Sequence, residues 1–237
     1  MCNTETVVIC ESMVGMDIRL QEFNRREVLQ YLLWRGGEIE PKVDRMIDDC
    51  MAETIRVARP RCVWRVMHLD RENNAPEIAF SGENIRSLLA DCDRVILFAA
   101  TLGTEFEMLI RRAQARDLTR ALILDACGSA AIERVCDEAV LEIQKTYPAF
   151  RYLTDRFSPG YGDLDIRFQR EMLMLTDAPR KIGLTMTDTF ILVPRKSVTA
   201  LIGVANCPQK RRFRGCAYCT MFENCSFRKA GKTCGEE

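Results

Sequence analysis

Apolar side chains recur at steps of three and four through Val43, Met46, Ile47, Cys50, Met51, Thr54 and Val57. That repeat belongs to a helix with one buried face. Glu40-Pro41 opens it, with proline in the first turn where its missing N–H costs nothing. Pro60 bounds its far end. An earlier helix is predicted over Glu27 to Arg35, closed by Gly36-Gly37. Val7, Val8 and Ile9 predict a short first strand, and Cys62 to Leu69, rich in β-branched and aromatic residues, a second. Gly82 to Ala90 reads as a short helix. Arg94 to Ala100, with VILFAA inside it, reads as a buried strand. Thr104, with Glu107 three residues on, predicts a capped helix start.

Leu118 to Lys145 is the longest helical stretch, and its first half, ALILDACGSAAI, is apolar on nearly every face. Such a helix belongs in the middle of a fold. Gly128, Ser129, Ala130 and Ala131 are small enough to admit a close neighbour, either backbone or ligand. Arg151 to Gly162 is the best loop candidate, with Pro159, Gly160 and Gly162 close together. A helix over Leu164 to Leu175 follows. Strands are predicted over Ile182 to Met186, Phe190 to Val193 and Ser197 to Val204. The mixture is that of an α+β chain. After Asn206 the composition changes abruptly, so residues 1–206 are assigned to one domain and 207–237 to a tail.

Composition narrows the picture. Apolar residues make up 47% of the 237 positions, enough to bury a full core. Basic and acidic side chains balance at 34 each, which argues against nucleic-acid binding by the whole surface. The opening residues, MCNTETVVICESM, have no basic region followed by an apolar core, and no apolar run reaches membrane-spanning length. With twelve cysteines and no export signal, the expected setting is cytoplasmic and reducing. Cys2, Cys10, Cys50, Cys62, Cys92, Cys127 and Cys136 are scattered singly, as core thiols are.

The remaining five cluster. Cys207, Cys216, Cys219, Cys225 and Cys234 all lie in the tail, with Cys216 and Cys219 in C-x-x-C spacing. That spacing brings two thiolates to one metal, and five cysteines supply four ligands for Zn²⁺ or a [4Fe–4S] cluster with one spare. So polar a segment offsets its ordering entropy poorly without a metal. The tail is also basic, with Arg211, Arg212, Arg214 and Arg228 among its charges. A zinc knuckle contacting nucleic acid is a third-ranked reading, since the rest of the chain shows no basic stripe.

The segment Arg156-Phe157-Ser158-Pro159-Gly160-Tyr161-Gly162-Asp163 has its own logic. Proline and two glycines fix a tight backbone with exposed amides. Arginine at one end can meet a carboxylate, and tyrosine offers a flat face and a hydroxyl. Such a loop suits a small zwitterion bearing an aromatic group. It equally suits a structural turn whose arginine bridges to a neighbouring acid.

R-x-x-P-G-Y in this loop resembles the S-adenosylmethionine-binding motif of the activation domain of cobalamin-dependent methionine synthase. Gly183 to Phe190 is similar to that family's G-x-x-L-T-E-S strand and turn, and Pro194 to Thr199 to its P-x-x-S-V-S segment. Leu122 to Cys136 is similar to the small-residue helix of stand-alone relatives. The resemblance spans roughly residues 20 to 206. It implies a C-shaped α+β domain with a central antiparallel sheet and flanking helices. It implies reductive methylation too: cob(II)alamin takes one electron, and S-adenosylmethionine then methylates it. Arg156 is implied to hold the methionine carboxylate and Tyr161 to line the site, with Pro159, Gly160 and Asp163 completing the loop. Asp163 stands where the family has a small residue, and Gly162 replaces a proline.

No D-x-H-x-x-G cobalamin motif occurs, and the single histidine, His68, falls in a predicted strand. The cobalamin is therefore expected on a partner, a corrinoid protein or corrinoid methyltransferase. The expected function is reactivation or accessory handling of that partner, with the tail cluster as electron donor. The alternative is a non-enzymatic corrinoid-protein binding module whose tail is a structural zinc knob.

Overall fold

The computed structural model describes residues 14–34, 36–69 and 82–209. Its strands are β1 (Val14–Asp17), β2 (Arg61–His68), β3 (Cys92–Thr101), β4 (Tyr152–Leu153), β5 (Thr185–Met186), β6 (Leu192–Val193) and β7 (Ser197–Ala205). Its helices are α1 (Arg25–Tyr31), α2 (Pro41–Val57), α3 (Glu83–Leu88), α4 (Thr104–Gln114), α5 (Leu118–Thr146), α6 (Phe168–Leu175) and α7 (Ala178–Ile182). Five strands form an antiparallel sheet in the order β1-β2-β3-β7-β4, and β5 and β6 make a separate hairpin. Among the described residues no helix is long and apolar enough to cross a membrane.

Side chains alternate across the three central strands and divide the core in two. Cys62, Trp64, Val66, Ile96, Phe98, Ala100, Ala200, Ile202 and Val204 join the cluster beneath α1, α2, α4 and α5. Met67, Val95, Leu97, Leu201 and Ala205 join the opposite cluster, under α3 and α6. Val63 and Ala99 pack with α7 through Ala178 and Ile182. β3 is central and covered on both faces, which is why it reads as an unbroken apolar run.

α5 is the spine of the first face. Asp117 caps it, accepting from the Arg120 amide at 3.0 Å. It packs against α1, α2 and α4. At about 1.5 Å per residue its 29 residues extend about 44 Å. Gly128 sits where the fold crowds it. A Cβ there would fall 2.5 Å from Phe106 and 2.9 Å from the Lys196 stem. The small residues of α5 thus admit neighbours from α4 and from the turn before β7.

Helix α2 and strands β2, β3 and β7 lie within two residues of their expected bounds. Other boundaries moved, for physical reasons. α1 starts at Arg25 because the Asn24 side chain accepts from the Arg26 amide, and it ends at Tyr31, short of the glycine pair. The cap of α4 is Gly103, with Thr104 the first helical residue. Glu107 forms no capping box; it accepts from the Arg195 amide at 3.1 Å and pairs with Arg111. Residues 164–167 form turns ahead of α6. Ile182 ends a short helix, followed by Gly183 in the left-handed region (φ 68°). The strand expected at Val7 to Ile9 lies outside the described residues.

Gly128→Ala should lower stability by about 1–2 kcal/mol. The gain in helix propensity, about 1 kcal/mol, is smaller than the overpacking cost against a buried ring. Urea denaturation reads the effect as a lower midpoint at unchanged slope. An unchanged or higher midpoint would mean that Phe106 and Lys196 yield without cost.

Candidate functional site

The loop after β4 begins on the sheet. Phe157 exchanges both backbone hydrogen bonds with Leu201 of β7, at 2.9 and 2.8 Å. This bridge sends neighbouring side chains to opposite faces. Phe157 enters the α3 and α6 cluster, while Arg156 reaches the other way, to α5. Pro159 is buried. Gly160 (φ 89°) donates its amide to Leu164 O at 2.8 Å, Tyr161 to Ser158 O at 3.0 Å, and Leu164 to Tyr161 O at 3.0 Å. The loop was expected to expose its amides, but those of Gly160 and Tyr161 are engaged within it. Tyr161 is 63% exposed, with its ring edge-on to Phe157.

Arg156 is the electrostatic centre of the region. Its Nη1 donates to Asp137 Oδ1 at 2.5 Å and its Nη2 to Glu133 Oε2 at 2.8 Å. The two acids stand four apart on α5, so they share one face. Arg156 has only 16% of its side chain exposed, while the carboxylates are about half exposed. Burial alone would lower the guanidinium pKa. The Asp137 hydrogen bond and the charges of Asp137 and Glu133 help raise it instead, so Arg156 stays charged. This is the arginine-to-acid bridge that the loop sequence allows.

Two α1 residues missed in the sequence complete the surroundings. Glu27 has its pKa raised by burial and then by Asp137 and Glu133. Tyr31 is pushed up to about 12 by burial and by Glu133, Glu27 and Tyr161. Two carboxylates thus hold one guanidinium, Glu27 lies within electrostatic reach of both, and two half-exposed or exposed tyrosines stand nearby. Beside them a cavity of about 350 Å³ is lined by Glu22, Phe23, Asn24, Glu27, Arg134 and Asp137. Such a place attracts a ligand with positive charge and a flat ring. The signal available in the sequence was the row Asp125, Ser129, Glu133 and Asp137, spaced by four along the predicted helix.

The same row receives the second motif. Lys196 pairs with Asp125 at 3.0 Å and donates to Ser129 Oγ at 2.8 Å. Ser197 Oγ lies 2.8 Å from Thr101 Oγ1 and 2.7 Å from Pro194 O. In the Gly183 to Phe190 motif, Thr187 closes the β5–β6 turn by accepting from the Ile191 amide at 3.1 Å. Asp163 meets backbone: Oδ2 accepts from the Glu83 amide at 2.5 Å and Oδ1 from that of Asn84 at 3.2 Å. His68 is exposed at the end of β2.

Cys50, Cys62, Cys92, Cys127 and Cys136 are buried, and Cys207 is exposed. Burial pushes Cys50 to about 11 and Cys62 and Cys127 to about 12, so these are neutral core thiols. Among the described residues no three His, Cys, Asp or Glu side chains converge as a metal-binding group. Cys216, Cys219, Cys225 and Cys234 lie outside the described residues.

The raised pKa of Glu27 fixes a sign. The folded state holds this proton more tightly than the unfolded chain does. Its contribution is therefore full below the unfolded value near 4.5 and is lost as pH rises through the folded value. Glu27→Gln should raise the melting temperature at pH 7 and change it less at pH 4. Equal shifts at both pH values would remove Glu27 from the electrostatic cluster.

No family model and no curated protein matches the chain. A solved structure does: the MetH reactivation domain bound to AdoHcy matches with a TM-score of 0.60 and 12% sequence identity. The match covers 94% of this chain and 87% of that one. What this chain shares with the MetH reactivation domain is its fold.

Proposed function

We propose that the chain binds S-adenosylmethionine at the Arg156 loop and serves in the reactivation of a corrinoid protein, acting on cobalamin that a partner carries. One observation carries this reading. The R-x-x-P-G-Y loop, with its arginine and exposed tyrosine, occurs in a fold shared with a reactivation domain that binds AdoHcy. The charges suit the ligand as well. The donor is an α-amino acid with a sulfonium centre and an adenine ring. Arg156 spends two of its five N–H donors on Glu133 and Asp137, so a ligand carboxylate can approach the others. The ligand ammonium and sulfonium would then face the surplus acids, Glu27 among them.

In this reading a reductant, which would be the tail centre if that is an iron–sulfur cluster, gives the partner's cob(II)alamin the one electron that makes it cob(I)alamin. Cob(I)alamin then attacks the methyl carbon, leaving S-adenosylhomocysteine and methylcobalamin. The residues of this chain bind the donor and present its methyl group outward, beside Tyr161, to the partner's corrinoid. We assign the tail to a metal centre held by Cys216, Cys219 and Cys225, with Cys207 or Cys234 as the fourth ligand. An iron–sulfur cluster there would suit electron donation. A zinc there would make the tail a structural knob, and the chain a binding module.

Calorimetry should show S-adenosylmethionine binding to the wild type. Arg156→Ala should weaken it about 30- to 150-fold, the loss of one charge-assisted fork. Arg156→Lys keeps the charge that Glu133 and Asp137 need but loses the fork, and so serves as the folded control. Mixing the protein with a cob(II)alamin-loaded corrinoid protein, S-adenosylmethionine and a reductant should speed methylcobalamin formation in the visible spectrum. Wild type that neither binds the donor nor changes the spectrum ends this reading.

Anaerobic purification should yield bound metal in the wild type and much less in Cys219→Ala. A brown protein with iron and sulfide favours the cluster, and a colourless one with zinc the knob. Metal-free protein in both cases rules out the assigned ligands.

A further inference from the structure

The far end of the Arg156 loop is fastened to a helix on the other face of the sheet. α3 begins after Gly82, which has no side chain with which to cap it. Asp163, 80 residues away from Glu83, supplies the cap: Oδ2 takes the Glu83 amide at 2.5 Å, and both carboxylate oxygens lie 3.2 to 3.3 Å from that of Asn84. The two segments also approach closely enough that a Cβ at either glycine would displace the facing side chain. A Cβ on Gly82 would fall 2.5 Å from Asp163 Oδ1, and one on Gly162 would fall 2.4 Å from Asn84 Nδ2. Both glycines have positive φ, 139° and 52°. Leu164, next along, is buried with Ile85 and Leu88 of α3.

We infer that Asp163 is a positioning residue of the proposed donor site: it pins the loop to α3 and so fixes where Tyr161 and Gly160 stand relative to Arg156. This rests on the reading that the loop binds S-adenosylmethionine, and it departs from a direct ligand role for Asp163. The loop is then a strap held at both ends. Arg156 ties one end to α5 through Glu133 and Asp137, and Asp163 ties the other to α3. Tyr161, between them, projects into solvent yet cannot swing with its backbone. Where the resemblance leads one to expect a small residue, an aspartate provides this tie.

The chemistry of capping supplies a sharp test. Asparagine caps a helix about as well as aspartate, whereas alanine does not. A ligand contact that used the negative charge would fail in both variants. Calorimetry with S-adenosylmethionine should therefore show Asp163→Ala weakened about five- to tenfold, the size of one lost cap, and Asp163→Asn within about twofold of wild type. Gly82→Ala, which crowds the same carboxylate, should weaken binding as Asp163→Ala does. Equal losses in Asp163→Ala and Asp163→Asn would overturn the positioning role in favour of direct contact, and no loss in Asp163→Ala would overturn both. Amide hydrogen exchange at Glu83 and Asn84 reads the pin without any ligand. It should quicken in Asp163→Ala and hold in Asp163→Asn. Should the wild type bind no donor at all, the functional reading fails, and exchange alone decides whether the pin exists.

Discussion

Four polar residues on one stripe of α5 organise the surface of this protein. Asp125 and Ser129 take Lys196, while Glu133 and Asp137 take Arg156. Spaced by four, they lie in a row on a helix that is otherwise largely buried. Without a cation between them, Glu133 and Asp137 would repel, and Glu27 would add to the repulsion. Arg156 relieves that strain and in doing so brings the loop to the helix. The apolar faces of α5 place the helix against the sheet, and its polar row decides which loops settle along it. Packing thus fixes the scaffold, and a few charges fix the site upon it.

The sheet does the dividing. Because strand residues alternate faces, consecutive positions in the loop after β4 can serve opposite layers. Arg156 and Phe157 are adjacent in sequence, yet one meets α5 and the other the core beneath α3 and α6. That division depends on the two backbone bonds between Phe157 and Leu201, an isolated bridge to β7 four residues past the end of β4. The site therefore sits at a sheet edge where both layers are within reach of one short segment.

Much of this was legible beforehand, and the rest was hidden for identifiable reasons. α2 is periodic and α5 is a long helical stretch, apolar on nearly every face in its first half, so pattern alone located them. The helix expected over Leu164 to Leu175 ends where α6 does, but Asp177 in a left-handed conformation (φ 52°) then leads into a second short helix, α7, whose last residue, Ile182, had read as the start of a strand. Nothing local announces that break. Arg156 and Tyr161 stood out through the composition of the loop. Glu133, Asp137 and Glu27 did not, because each looks like an ordinary solvated acid until the fold gathers them. Asp163 looked like part of a ligand pocket, yet its contacts are with a helix start 80 residues away. Long-range pairing of that kind leaves no periodic trace.

The five cysteines buried among the described residues have a consequence for how the chain endures. A thiol sealed in a packed core offers an oxidant no access, and where burial also holds its proton, as at Cys62 and Cys127, no thiolate either. Damage to Cys50, Cys62, Cys92, Cys127 or Cys136 must wait for the core to open, so its rate scales with the population of the opened state. Once oxidised to a sulfinic or sulfonic group, such a residue could not return to its apolar place, and the opening would become permanent. For these five thiols, resistance to oxidation and resistance to unfolding are one property, and a mutation that loosens the core shortens their chemical lifetime with it.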